Sequence, residues 1–209
     1  MIRPGVVVGR AIFGGALLAP ILALAQPPRA RDPDWPCQQI KVAEMSPAAV
    51  WSGPEVNLQD TSWKNDPAVA ALVETIARRR EPIDQVEGLI HDFAQQAGDQ
   101  RQPRLLQVFA GVFGVLDQER GSVMAGLDRF GARQKQLAAD IRSDNETLRG
   151  LQADSAADPK AVQQMTQKVG WEVEVFQDRR QAISFACDIP GKIEQRLFSL
   201  AHQIQKELD

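Results

Sequence analysis

The chain has 209 residues, with 24 Lys and Arg against 27 Asp and Glu, a formal net charge of -3, two cysteines and no tyrosine. That balance leaves no basic face for nucleic acid and no positive surface for anionic lipid. The missing tyrosine removes a common acid–base and carbohydrate-contact residue.

Residues 1–25 read as a cleavable signal peptide. Arg3 and Arg10 give a basic start, Ala11 to Leu24 is apolar, and Ala23-Leu24-Ala25 offers small residues where a signal peptidase cuts, before Gln26. The apolar run is shorter than the roughly 20 residues that span a bilayer, so no stable membrane anchor is expected. No cysteine follows the cut and no Arg-Arg pair precedes it, which argues against a lipid anchor and the twin-arginine route. The expected location is the periplasm. Loss of Arg3 and Arg10 leaves 22 basic side chains against 27 acidic ones.

Residues 26–66 are broken by Pro27, Pro28, Pro33, Pro36, Pro47 and Pro54 and carry Trp35, Trp51 and Trp63. Prolines forbid long regular elements, and tryptophans need apolar partners. The segment therefore reads as an extended arm packed on a helical body, with one short turn at 46–51 capped by Ser46. Residues 67–209 form the body. Asp66-Pro67 opens a helix through Arg80 with Val69, Leu72, Val73 and Ile76 inward, closed by Arg78-Arg79-Arg80. Pro82 opens a second, with Ile83, Val86, Ile90 and Phe93 inward, ending at Gly98. Pro103 opens the third.

That third helix carries a heptad ladder: Leu106, Phe109, Phe113, Leu116, Arg120, Val123, Leu127, Phe130, Gln134, Leu137, Ile141, Asp144, Leu148 and Leu151. A 3.5-residue period keeps one stripe on a partner helix over about 70 Å. Residues 153–158 make a turn, Asp158 caps, Pro159 begins a returning helix through about Cys187, and Asp188-Ile189-Pro190-Gly191 breaks it. A last helix presents Ile193, Leu197, Leu200, Ile204 and Leu208. The fold class is all-α: a helical bundle with a long antiparallel coiled-coil hairpin projecting over about 120–180, and a Trp/Pro-rich N-terminal arm.

An antiparallel register pairs Leu148 with Met165, Leu137 with Phe176, Phe130 with Ile183 and Leu127 with Ala186. It sets Gln134 against Arg179, Asp144 near Lys168 and Val169, and Ile141 on Glu172. Polar rungs of this kind fix register at a cost in stability, and Gln134 and Arg179 are also interaction candidates. Phe109, Phe113, Phe130, Phe185 and Phe198 are expected to pack at the base. Trp171 stands outside the ladder, and a rigid aromatic on a two-helix arm is a candidate contact residue. Gly111 and Gly114 either admit a close neighbour or are merely tolerated.

In an oxidising compartment Cys37 and Cys187 most simply form one disulfide. Glu87 and His91, four residues apart, could share a metal, but one such pair is a weak signal. Metalloprotease, di-iron, nucleophile-elbow and phosphate-loop patterns are absent. No catalytic residue, cofactor or metal ligand is nominated, and an enzyme is not expected.

The stretches Asp34-Trp35-Pro36-Cys37, Ala49-Val50-Trp51-Ser52-Gly53-Pro54 and Glu194-Gln195-Arg196-Leu197-Phe198 resemble an uncharacterised family of exported helical proteins of Gram-negative bacteria. The resemblance spans most of the mature chain and implies export, with no activity to transfer. Periplasmic helical chaperones are a second comparison, from which the chain departs in lacking a strongly basic hairpin and a repeated Leu-Thr-x-x-Gln pattern. The expected function is a non-enzymatic structural or adaptor role, through coiled-coil contact with another envelope protein or a second copy. A holdase-type chaperone and a small-ligand or metal-binding bundle are the alternatives.

Overall fold

The computed structural model describes residues 32–208; the expected signal peptide at 1–25 and the first residues of the expected arm, 26–31, lie outside them. The fold is all-α. Among the described residues the helices are α1 (Pro67–Ile76), α2 (Ile83–Ala97), α3 (Arg101–Ala153), α4 (Pro159–Cys187) and α5 (Ile189–Lys206). No strand occurs among these residues.

Several helix ends have a chemical reason. Asp66 Oδ1 accepts from the N–H groups of Ala68 and Val69 at 3.0 and 3.2 Å, with Pro67 in the first helical position. Arg104 from α3 grips the same carboxylate through Nε and Nη2, both at 3.0 Å, and holds it below the usual Asp range. α1 stops at Ile76 rather than Arg80. Its carbonyl end is capped by Arg196 of α5, which donates to Ile76 O at 2.7 Å and Glu81 O at 2.6 Å. The Arg78–Arg80 run therefore lies past the helix, and Arg79 pairs with Glu119 at 2.8 Å instead.

α2 ends at Gly98, whose φ of 52° needs a residue without Cβ. α3 starts at Arg101, two residues before Pro103, out of a 3-10 turn at Gly98–Gln100. Pro103 still falls in the first turn, where a missing N–H leaves no bond unmade. Asp158 accepts from Lys160 N at 3.0 Å to begin α4. α4 and α5 are separated by Asp188 alone, because Pro190 sits in the first turn of α5 and does not prolong the break. At 46–51 the Ser46 hydroxyl does not cap; its carbonyl accepts from Ala49 N at 3.0 Å in a three-residue 3-10 turn.

Four helices share the main core. Val69, Val73 and Ile76 of α1 and Val86 and Ile90 of α2 meet Leu105, Val108, Phe109, Val112 and Leu116 of α3, and Ile193, Leu197, Leu200 and Ile204 of α5. The base of α3 is thus covered on more faces than its ladder stripe. The tryptophan-bearing segment lies on this body. Trp51 stacks on Phe109 with ring centroids 3.9 Å apart, and Trp63 fits over Gly111, where a Cβ would sit 2.9 Å from its ring and 2.8 Å from Val73. At Gly131 a Cβ would lie 1.7 Å from Asp34 O. Two glycines of α3 are what let residues 34–63 approach so closely; Gly114, by contrast, faces open space.

Past Gly131, α3 and α4 have mainly each other. Asp144 reaches Lys168 across the pair and Gln134 reaches Phe176, so the two helices run antiparallel. Every ladder position from Phe130 to Leu151 is half-buried rather than buried, as two helices without further cover require. Phe109 and Phe113 are core residues and Phe130 is half-buried. Phe185 and Phe198 do not join them: they are 73% and 57% exposed. Each faces away from its helix's packed side, occupied in α4 by Ile183 and Cys187 and in α5 by Leu197 and Leu200.

Candidate functional site

Cys37 and Cys187 are joined by a disulfide with Cα atoms 5.6 Å apart. It fastens the segment before α1 to the C-terminal end of α4, where a small second cluster gathers Met124, Leu127 and Cys187 with Trp35, Ile183 and Ala186. Trp35 Nε1 donates to Gln39 O at 2.8 Å, and Gln39 Nε2 donates to Cys187 O. Beside the bridge lies an open groove of about 570 Å³ between residues 35–42, Met124 and Pro190. On its rim Ile40 and Val42 are 80% and 55% exposed.

One wall of that groove hides a residue whose role the sequence did not disclose. Arg120, a polar rung of the ladder, is 2% exposed. Its Nε donates to Glu194 at 2.6 Å, and Nη2 and Nη1 donate to Val42 O at 2.6 Å and Ala43 O at 3.2 Å. A buried guanidinium is stable only when its N–H groups are met in this way. Arg120 thereby ties three distant stretches together: the segment before α1, α3 and α5. The signal available was a lone Arg interrupting an otherwise apolar base, but its three acceptors lie more than 70 residues away.

The polar rungs of the distal pair divide in two. Asp144 and Lys168 form an ion pair at 2.8 Å. Glu172, 8% exposed, lies 3.7 Å from the same ammonium, and its Oε2 is buried without a partner. Burial and the adjacent Asp144 carboxylate raise the Glu172 carboxyl above its ordinary value, whereas Lys168 lowers Asp144 below its own. The Gln134–Arg179 pairing does not form. Gln134 Nε2 donates instead to Phe176 O, 2.8 Å away, a backbone acceptor one turn nearer, and Arg179 is exposed with no ion pair among the described residues. Gln134 Oε1 is left buried without a partner.

Trp171 is 65% exposed. At about 100° per residue, the packed side of α4 runs through Met165, Val169, Glu172, Phe176, Ile183 and Cys187. Trp171, Asp178 and Phe185 lie on the face opposite α3. The rest of that outward face is Lys160, Gln164, Gln167, Glu174, Val175 and Ala182, all exposed except half-buried Val175. His91 and Glu87 do not converge on a common site: His91 Nδ1 lies 3.0 Å from Glu207 and Glu87 lies 3.5 Å from Lys206, both on the C-terminal side. Among the described residues no three His, Cys, Asp or Glu side chains are placed to hold a metal, and no helix is long and apolar enough to cross a membrane.

Compared with protein-family models, curated proteins and solved structures, the chain matches none. What defines it is therefore its own architecture: an all-α protein whose arginine- and disulfide-tied base carries a long antiparallel helix pair.

Proposed function

We propose that α3 and α4 act as an antiparallel coiled-coil hairpin projecting over about 120–180, through which an exported, non-enzymatic structural or adaptor protein binds another envelope protein or a second copy of itself in the periplasm. The tryptophan- and proline-rich stretch from residue 32 to residue 66 serves as an arm that braces the hairpin's base. The observation that carries this reading is Trp171. A tryptophan 65% exposed on the face of α4 opposite its packed side lies outside both buried cores, yet it is among the side-chain types enriched where interfaces are anchored.

The test is crosslinking and affinity capture from periplasm with wild type and Trp171→Ala. Loss of specific adducts from the variant, with its helicity and melting temperature unchanged, is the predicted result. Identical adducts from both proteins would contradict the assignment. The groove beside the disulfide favours a second reading, a holdase-type chaperone, because Ile40 and Val42 expose apolar side chains on its rim. In that case Ile40→Asp, and not Trp171→Ala, would abolish suppression of aggregation of an unfolded client.

A further inference from the structure

The outward face of α4 has a charge order that selects a partner. Along it run Lys160, Gln164, Gln167, Trp171, Glu174 and Asp178, so the positive charge stands at the N-terminal end and both negative charges beyond the tryptophan. Lys160, Glu174 and Asp178 take part in no ion pair among the described residues. Lys168, at the margin of the face, is already held by Asp144 of α3. No further charged residue lies within about 60° of Trp171 around the helix between Lys160 and Phe185, and α3 covers the opposite side. A partner helix laid parallel would set Lys160 on its own copy and Asp178 on its own copy. An antiparallel copy would set opposite charges together.

Resting on the interaction reading above, we infer that the partner of this face is a second copy of the chain, joined antiparallel across a two-fold axis near residue 169. In that register Lys160 faces Asp178 of the partner subunit, Gln164 faces Glu174 of the partner subunit, and Gln167 faces Trp171 of the partner subunit. Each relation is repeated by symmetry, as an isologous interface demands. The two tryptophans then lie one helical turn apart, about 6 Å along the axis, close enough to bury each other at the centre of the interface. The competing antiparallel register, which would lay Trp171 on Phe185 of the partner subunit, opposes Asp178 to itself; like charges directly opposed weaken association.

The test is the dimer dissociation constant of the purified wild-type protein and variants by sedimentation equilibrium, with helicity and melting temperature as folding controls. Trp171→Ala and Lys160→Glu should each weaken the dimer about tenfold or more. Lys160→Glu combined with Asp178→Lys should recover affinity to within about threefold of wild type, because the pair is only exchanged. Failure of the double variant to recover, or a wild-type dimer indifferent to all three changes, overturns the inference. So does weakening by Phe185→Ala equal to that by Trp171→Ala. A monomeric wild type at all concentrations also overturns self-association. If periplasmic capture still depends on Trp171, the interaction reading survives; if it does not, both fall.

Discussion

A guanidinium that is 2% exposed in the middle of a helical seam has to be matched group for group, and Arg120 is. Replacing it by Met keeps the volume but leaves Val42 O and Ala43 O without their donor and Glu194 without its partner. With Glu194 partly exposed, the expected loss is about 2–3 kcal/mol, read by chemical denaturation; a loss below about 0.5 kcal/mol would contradict the tethering role. The glycines give a paired test of opposite sign. Gly131→Ala forces a methyl into Asp34 O and should destabilise by about 1–3 kcal/mol. Gly114→Ala meets nothing within 4 Å and should stabilise by about 0.5–1 kcal/mol through helix propensity. Thermal melts of the two variants check both signs. Arg196 shows why such roles resist reading from a sequence: it closes α1 from 120 positions away, and no local pattern encodes an acceptor at that distance.

At the scale of the elements, the helix pair carries a rung of like and unlike charges between Gly131 and its distal turn. Glu172 has its carboxyl raised by burial and by Asp144, so between its ordinary 4.5 and that raised value the folded protein holds a proton the unfolded chain has released. Stability should fall as pH rises through that window. Asp144 acts in the other direction: its value lies below the ordinary 3.8, and its contribution is lost as pH falls below 3.8. Glu172→Gln should remove the first dependence and leave the second, measured as melting temperature against pH; an unchanged slope above pH 4.5 would contradict it. The bounds of α4 were legible because Asp158-Pro159 and Pro190 act locally, and α1's inward residues followed from their spacing alone. The Gln134–Phe176 contact was not legible, since a register argument pairs side chains, here Gln134 with Arg179, and Gln134 reaches a backbone carbonyl instead. Hydrophobicity alone places Phe185 and Phe198 at the base, but each sits off the packed stripe of its own helix.

For the molecule as a whole, the disulfide and the Arg120 node fasten the segment before α1 to α3, α4 and α5 around one groove. A bridge between residues 150 positions apart restricts the unfolded chain by about 4–5 kcal/mol on the entropic account. The Cys37→Ser, Cys187→Ser double variant should therefore unfold at much lower denaturant, with its helix content in water largely kept, because the main core of Val69, Ile90, Phe109 and Leu197 does not depend on the bridge. A midpoint shift corresponding to less than about 1 kcal/mol would show that the bridge adds little. The export and interaction proposals meet in one claim, that the side of α4 turned away from α3 is where the chain meets its partner, another protein or a second copy. The most direct measurement is in-cell photo-crosslinking with a photoreactive amino acid placed at Gln167, one turn from Trp171 on the same exposed face, or, on the exposed outer side of α3, at Glu146. The account predicts discrete protein adducts at 167 and none at 146; equal adduct patterns at both positions, or none at either, would contradict it.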